Sequence, residues 1–223
     1  MSRYFCFSIR NFKIFKMRYF QLVELLLPIL LFSLLWSNVQ SVSKMDKDDI
    51  VPDAVSVAPE EICSITYPSG STVNLGNELA PAQVKDQPVI NWKAENDKFY
   101  TLFFIDPDAP SRADPKLRQA VHWLVSNIPG SDISKGEVLT EFIGSGPPQG
   151  TGLHRYTFLI YKQPGKIDLK DHPRITNKSV AGRFGFKVSD WTAKYNLGNP
   201  VAGNYYQAQF DDYVPILHKQ LGL

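Results

Sequence analysis

Three short stretches hold the side chains best suited to chemistry. The first is Phe103-Phe104-Ile105-Asp106-Pro107-Asp108-Ala109-Pro110-Ser111-Arg112, an apolar run ending in two carboxylates that flank a proline. Residues two apart on a strand share a face, which would aim Asp106 and Asp108 at one site. Asp and Pro are also turn residues, and composition alone favours a plain turn. The second stretch, Gln119-Ala120-Val121-His122-Trp123-Leu124-Val125, sets His122 in an alternating apolar strand. A lone histidine there is more often a satisfied core residue than a ligand group. Burial without a partner costs roughly 2 kcal/mol or more, so His122 must meet some polar group. The third runs from Gly144 to Tyr156, with four glycines and two prolines in its first nine residues. Such a loop lets backbone N–H groups approach a ligand closely and can form an anion-binding nest. It feeds a strand on which His154 and Tyr156 share a face. An ordinary rim loop is the competing reading, and the His/Tyr pair directly after the loop favours a site.

Two Asp, two His and one Tyr could serve three chemistries. A zinc site could use His and Asp, but no compact metal motif such as His-Glu-x-x-His is present. A hydrolase needs an activated nucleophile. Ser145 lies in Gly-Ser-Gly rather than the Gly-x-Ser-x-Gly elbow, and no base can be assigned to it. An anion pocket fits best. Protonated imidazoles, a tyrosine hydroxyl and loop amides can donate to phosphate oxygens, and the carboxylates can keep the imidazoles charged or receive an ammonium headgroup. The pocket is expected to bind phosphate more weakly as pH rises. No general base–nucleophile pair can be named, so the chain is read as a non-enzyme with no cofactor and no metal.

The elements that must position these residues are mostly strands. Short apolar or alternating runs at Ile62–Tyr67, Val89–Trp92, Phe99–Ile105, Val121–Ile128, Arg155–Tyr161 and Tyr205–Phe210 are separated by Gly, Pro, Asn and Asp. Their spacing predicts an all-β sandwich with minor helices. One helix is expected from a Ser189 cap to about Tyr195, ended by Gly198, and another over Asp211–Leu221.

The bulk numbers bound the rest. A chain of 223 residues favours one domain. Residues 1–41 hold five basic side chains and one acid, which leaves 19 of 24 basic and 21 of 22 acidic residues beyond them. That body carries a net −2, without the basic bias of a nucleic-acid binder. Only Cys6 and Cys63 are present, so no disulfide framework exists within a body that begins after residue 41. The run Gln21–Trp36 has twelve apolar residues of sixteen, interrupted by Glu24 and Pro28. It is short for a membrane span, which needs about 20 residues. A basic stretch precedes it and small residues follow near Ser41, which fits a secretory signal. The alternative is an uncleaved membrane anchor, and Met17 offers a second start. The organisation read is thus 1–41 targeting segment, 42–58 polar leader, loosely held, and 59–223 folded domain. The mature protein is expected to be secreted, beginning near Val42. Asn177-Lys178-Ser179 then becomes a glycosylation acceptor, on a weak motif.

Four segments in order resemble the signatures of the phosphatidylethanolamine-binding family, also called the Raf kinase inhibitor family. They are Asp106-Pro-Asp-Ala-Pro-Ser-Arg112, His122-Trp123, Gly144 to Tyr156, and Pro200 to Pro215. The similarity spans about Val51 to Leu223. It implies two antiparallel sheets packed face to face, with a C-terminal helix beside a small anion-binding cavity. By motif, Asp106, His122, His154 and Tyr156 correspond to cavity residues, with Asp108, Pro110 and Gly146 beside them. His218 aligns where some members carry a tyrosine, and Leu117–Val121 lacks the aromatic residues that many animal members place before the cavity histidine. The resemblance implies a binding protein for a phospholipid headgroup or another small anion or amphiphile. The alternative is an inhibitor of a serine protease or kinase. It also points, with the tight Asp-x-Ala-Pro turn, to a cis Ala109–Pro110 bond.

Overall fold

Among the described residues eight strands carry the architecture, and their apolar residues decide how they stack. They are β1 (Glu61–Ile62), β2 (Ser64–Thr66), β3 (Val89–Asn91), β4 (Phe99–Asp106), β5 (Ala120–Pro129), β6 (Glu137–Thr140), β7 (His154–Lys162) and β8 (Ala202–Ala208). The structure is a computed structural model and describes Met45 and residues 48–223. The targeting segment of residues 1–41, the second start at Met17 and the chain start near Val42 lie outside the described residues.

Six strands form one sheet in the order β1-β8-β7-β4-β5-β6, and β2 and β3 form a second, two-stranded sheet. All pairs are antiparallel except β1–β8, which is parallel, so the main sheet is mixed rather than purely antiparallel as expected. Its central strands β4, β5 and β7 are buried on both faces, which is why they read as near-continuous apolar runs. On one face Leu102, Phe104, Trp123, Tyr156 and Phe158 pack with Ile65 and Ile90 of the small sheet. On the other, Phe103, Ile105, Leu124 and Leu159 pack with Trp191 and with Ile50 and Ala54 of the leader.

Among the described residues two eight-residue helices flank the strands, beside a single helical turn at Ile50–Asp53. Helix α1 (Val188–Tyr195) buries Val188 and Trp191, and α2 (Val214–Leu221) buries Val214, Leu217 and Leu221, the spacing of one apolar stripe. Lys187, not Ser189, occupies the α1 N-cap, and the helix ends in left-handed Asn196 before reaching Gly198. Strand β8 starts three residues earlier than expected and stops at Ala208. Strand β6 was not anticipated from the sequence. Ala109–Pro110 is cis, as expected; Val51–Pro52 and Arg118–Gln119 are cis as well. Among the described residues no helix is long and apolar enough to cross a membrane.

The leader departs most from expectation. Its described part is firmly held, since Met45, Ile50, Ala54 and Val55 are all buried. Each large apolar side chain buried this way contributes about 1.5–3 kcal/mol. Polar residues drew the eye in the sequence, but four apolar ones fix the segment against the sheet.

Candidate functional site

Strands β4 and β7 are neighbours, and their ends bring Asp106 and His154 together. Asp106 Oδ2 lies 2.8 Å from His154 Nδ1, with both side chains almost fully buried. The other carboxylate oxygen accepts the Asp108 backbone N–H at 2.7 Å, which anchors Asp106. His154 Nε2 lies 2.8 Å from Thr151 Oγ1. The Thr151 hydroxyl donates its single proton to the Pro148 carbonyl at 2.7 Å, so it must accept from Nε2. Nε2 therefore donates to Thr151, and Nδ1 faces the Asp106 carboxylate.

His122 reaches the same place by an irregularity. Phe104 pairs with Trp123 and Ile105 with Val121, so His122 is an extra residue in a β-bulge. A bulge re-aims the side chain it inserts. The His122 ring packs edge-on against Phe104 and Tyr156, each with centroids 5.3 Å apart. Its Nδ1 donates to the Gly144 carbonyl at 3.0 Å. Burial pushes its pKa down to about 4, and Asp106 only partly opposes this. His122 is thus neutral near pH 7, contrary to the expectation that both imidazoles are charged. Its Nε2 is left as an acceptor with no partner among the described residues.

Tyr156, fully buried, accepts the Gly146 N–H at 3.3 Å. Burial first, and then the Asp106 charge, hold its pKa well above the ordinary value, so it stays a neutral hydroxyl with a proton to give. Gly146 sits where the loop meets α2. A Cβ there would lie 2.9 Å from Leu217 Cδ2, and His218 Nε2 donates to the Gly146 carbonyl at 2.9 Å. Asp106, Pro110, His122, Gly146, His154, Tyr156 and His218 line one cavity of about 110 Å³. Leu117, Phe184 and Leu223 form apolar parts of its wall and remain 39–63 % exposed. The cavity can receive a small group that both accepts from Tyr156 and donates to His122, with an apolar portion toward the rim.

Asp108 does not join it. The strand ends at Asp106, so the two-residue alternation no longer governs Asp108. Its carboxylate is fully buried against Arg155, which donates from Nε at 2.9 Å and Nη2 at 2.6 Å. Arg155 points to the opposite face of β7 from His154 and Tyr156. It also donates to the Asp48 and Asp49 carbonyls and to Asp53, and so fastens the leader behind the cavity. Burial works against the Arg155 charge, but the bonds to Asp108 and Asp53 outweigh it and raise its pKa. The sequence reading missed Arg155, Thr151 and the buried Arg183. Alternation about His154 and Tyr156 was the available signal for Arg155.

Ser145 Oγ is paired with the Tyr206 hydroxyl at 2.5 Å, and no imidazole bonds it among the described residues. The same residues contain no group of three or more His, Cys, Asp or Glu that could hold a metal. Cys63 is buried, and burial pushes its thiol up to about 12, so it is not a nucleophile at neutral pH.

The family model described as phosphatidylethanolamine-binding protein matches residues 69–206. The Drosophila melanogaster protein named "Putative odorant-binding protein A5" is 38% identical over 185 residues, covering 82% of this chain and 88% of that protein. The 26 kDa secreted antigen of Toxocara canis is 43% identical over 162 residues, covering 72% of this chain and 61% of the antigen. A crystal structure of carboxypeptidase Y inhibitor complexed with its cognate proteinase matches with a TM-score of 0.64 and 28% identity, over 78% of this chain and 97% of that one. With these matches laid over the cavity and the strands that build it, the chain belongs to the phosphatidylethanolamine-binding protein family.

Proposed function

We propose that this chain is a non-catalytic binding protein that holds a phosphate-bearing or other small amphiphilic ligand in the Asp106–His154–Tyr156 cavity. The observation that carries this reading is the pairing of one free donor, the Tyr156 hydroxyl, with one free acceptor, His122 Nε2, beneath apolar walls. A phosphate monoester in its monoanionic form can accept from the first and donate its P–OH proton to the second. Asp106, His122, Gly146, His154, Tyr156, Pro110 and His218 are the proposed ligand-contacting set. Asp108 supports it from behind. On the same reading β2–β3 is the second layer of a sandwich, and residues 59–223 together with the docked leader act outside the cell. The printed names of the relatives support a binding role and secretion, one as an odorant-binding protein and one as a secreted antigen.

Titration calorimetry with phosphorylethanolamine tests the proposal. Affinity should fall as pH rises through the ligand's second ionisation, near about 6, because the dianion has no proton for His122. Tyr156→Phe removes one donor and should weaken binding roughly tenfold, the scale of one hydrogen bond to a charged group. Affinity indifferent to both changes would place the ligand elsewhere. A second reading, inhibition of a protease, is supported by the likeness to the carboxypeptidase Y inhibitor. Capture of a serine protease by the protein with its cavity blocked by a Gly146 substitution would favour it.

A further inference from the structure

Arg183 is buried in the cavity wall, 1 % exposed. Its guanidinium has five N–H donors, and every one ends on a backbone carbonyl. Nε meets Ser179 at 3.0 Å, Nη1 meets Val121 and His122 at 3.1 and 3.2 Å, and Nη2 meets Glu141 and Thr176, both at 2.9 Å. Arg155 on the other side of β7 answers its charge with two carboxylates, whereas Arg183 forms no ion pair among the described residues. The bonds satisfy its donors and leave its charge uncompensated. Burial pushes its pKa down to about 10, still high enough to keep it a cation at neutral pH. The one carboxylate felt against it is Glu141, an exposed residue whose Oε2 is taken by the Asn177 N–H at 2.8 Å. The Arg183 charge also reaches into the cavity, where it opposes protonation of His122.

The other ionisable side chains of the wall are Asp106, His122, His154, Tyr156 and His218. Asp106 is paired with His154. His122 and Tyr156 carry no charge near pH 7. His218 Nε2 donates to the Gly146 carbonyl at 2.9 Å. Arg183 is the lining residue that carries a permanent cation.

We propose that Arg183 sets the ligand class of the cavity, its uncompensated charge selecting oxyanions over neutral and zwitterionic molecules while its N–H groups stay on the backbone and do not contact the ligand. This rests on reading the cavity as a small-anion site. At an effective dielectric of about 20, a unit charge roughly 8 Å from a monoanion changes its affinity about 30-fold. Because the charge is buried, added salt screens it little.

The test compares inorganic phosphate with phosphorylethanolamine on the whole protein by calorimetry, with near-UV circular dichroism confirming the fold. Arg183→Gln should weaken phosphate about 30-fold and phosphorylethanolamine distinctly less, since the ammonium group of the latter gains where its phosphate loses. Arg183→Lys, which keeps the charge, should recover most of the phosphate affinity. Glu141→Gln keeps the acceptor for Asn177 and every Arg183 bond, and should strengthen phosphate binding about twofold by unmasking the charge. A folded Arg183→Gln protein with phosphate affinity within twofold of wild type overturns the inference, as does equal weakening of both ligands. Should Arg183→Gln not fold, the inference is overturned by a Glu141→Gln variant with unchanged affinity. A wild-type protein that binds no phosphate sinks the anion reading itself, and this inference with it.

Discussion

Lowering the pH from 7.5 to 5 puts a proton where the core does not accept one. His122 is 6 % exposed, boxed by Phe104 and Tyr156, and its Nδ1–H already serves the Gly144 carbonyl. Burial lowers its pKa from 6.5 to about 4. An unfolded chain therefore binds this proton more readily than the folded one across that interval, and stability must fall as pH falls through it. The loss begins near pH 6.5, reaches about 2 kcal/mol at pH 5, and levels off at about 3 kcal/mol below pH 4. For a chain of this size 2 kcal/mol lowers Tm by about 4–8 °C. Other groups titrate in the same range, so the informative quantity is the difference between wild type and His122→Asn. Asparagine keeps a donor near the Nδ1 position and removes the titration. Urea unfolding at pH 7.5 and pH 5 should show the wild type losing about 2 kcal/mol more than the variant between the two conditions. Equal losses would refute the idea that the His122 ring is held neutral by burial, whatever the variant's absolute stability.

Three further outcomes are expected. Asp108→Asn leaves Arg155 as a buried cation short of one carboxylate and should cost about 3–5 kcal/mol in urea unfolding, far more than a surface ion pair would. Gly146→Ala places a methyl 2.9 Å from Leu217 Cδ2, so the buried Leu217 side chain must give way; stability should drop by about 1 kcal/mol and phosphorylethanolamine binding should weaken, both measurable by thermal shift with and without ligand. On the secretory reading, an N-glycosidase should change the gel mobility of the native protein but not of an Asn177→Gln variant, and secreted protein of unchanged mobility would remove that site.

The strands that were legible in the sequence are those whose apolar residues face two layers. Phe99–Asp106 and His154–Lys162 present no face to solvent, and their apolar runs needed little context to be read. His154 and Tyr156 share one face because plain alternation holds along β7. His122 reaches the cavity through a bulge, and nothing in Ala120–Trp123 announces which residue is the extra one. Asp108 was misplaced because the strand ends two residues before it. The leader, read as loosely held, was misjudged because its partner, Arg155, lies more than a hundred positions away and because Asp49 and Asp53 are tied to arginines. Asp53 shows the balance: burial would raise its pKa, but the Arg155 and Arg118 guanidiniums prevail and lower it.

The parallel pairing of β1 with β8 has a consequence for how the chain is made. Asn204 reaches back 141 positions to hold the Cys63 carbonyl, and its side chain also accepts the Leu75 N–H. A ribosome must therefore add the residues between β1 and β8, a separation of 141 positions for the Asn204–Cys63 bond, before β1 finds its neighbour. Contacts that close loops of this length delay folding, because chain entropy is lost before the contact rewards it. Until then the early segments wait without their final partners, exposed to whatever processes or escorts a nascent chain. Once β8 arrives, the two-residue β1 lies along what would otherwise be an open sheet edge, so completion of the fold and protection from edge-to-edge aggregation arrive in the same step.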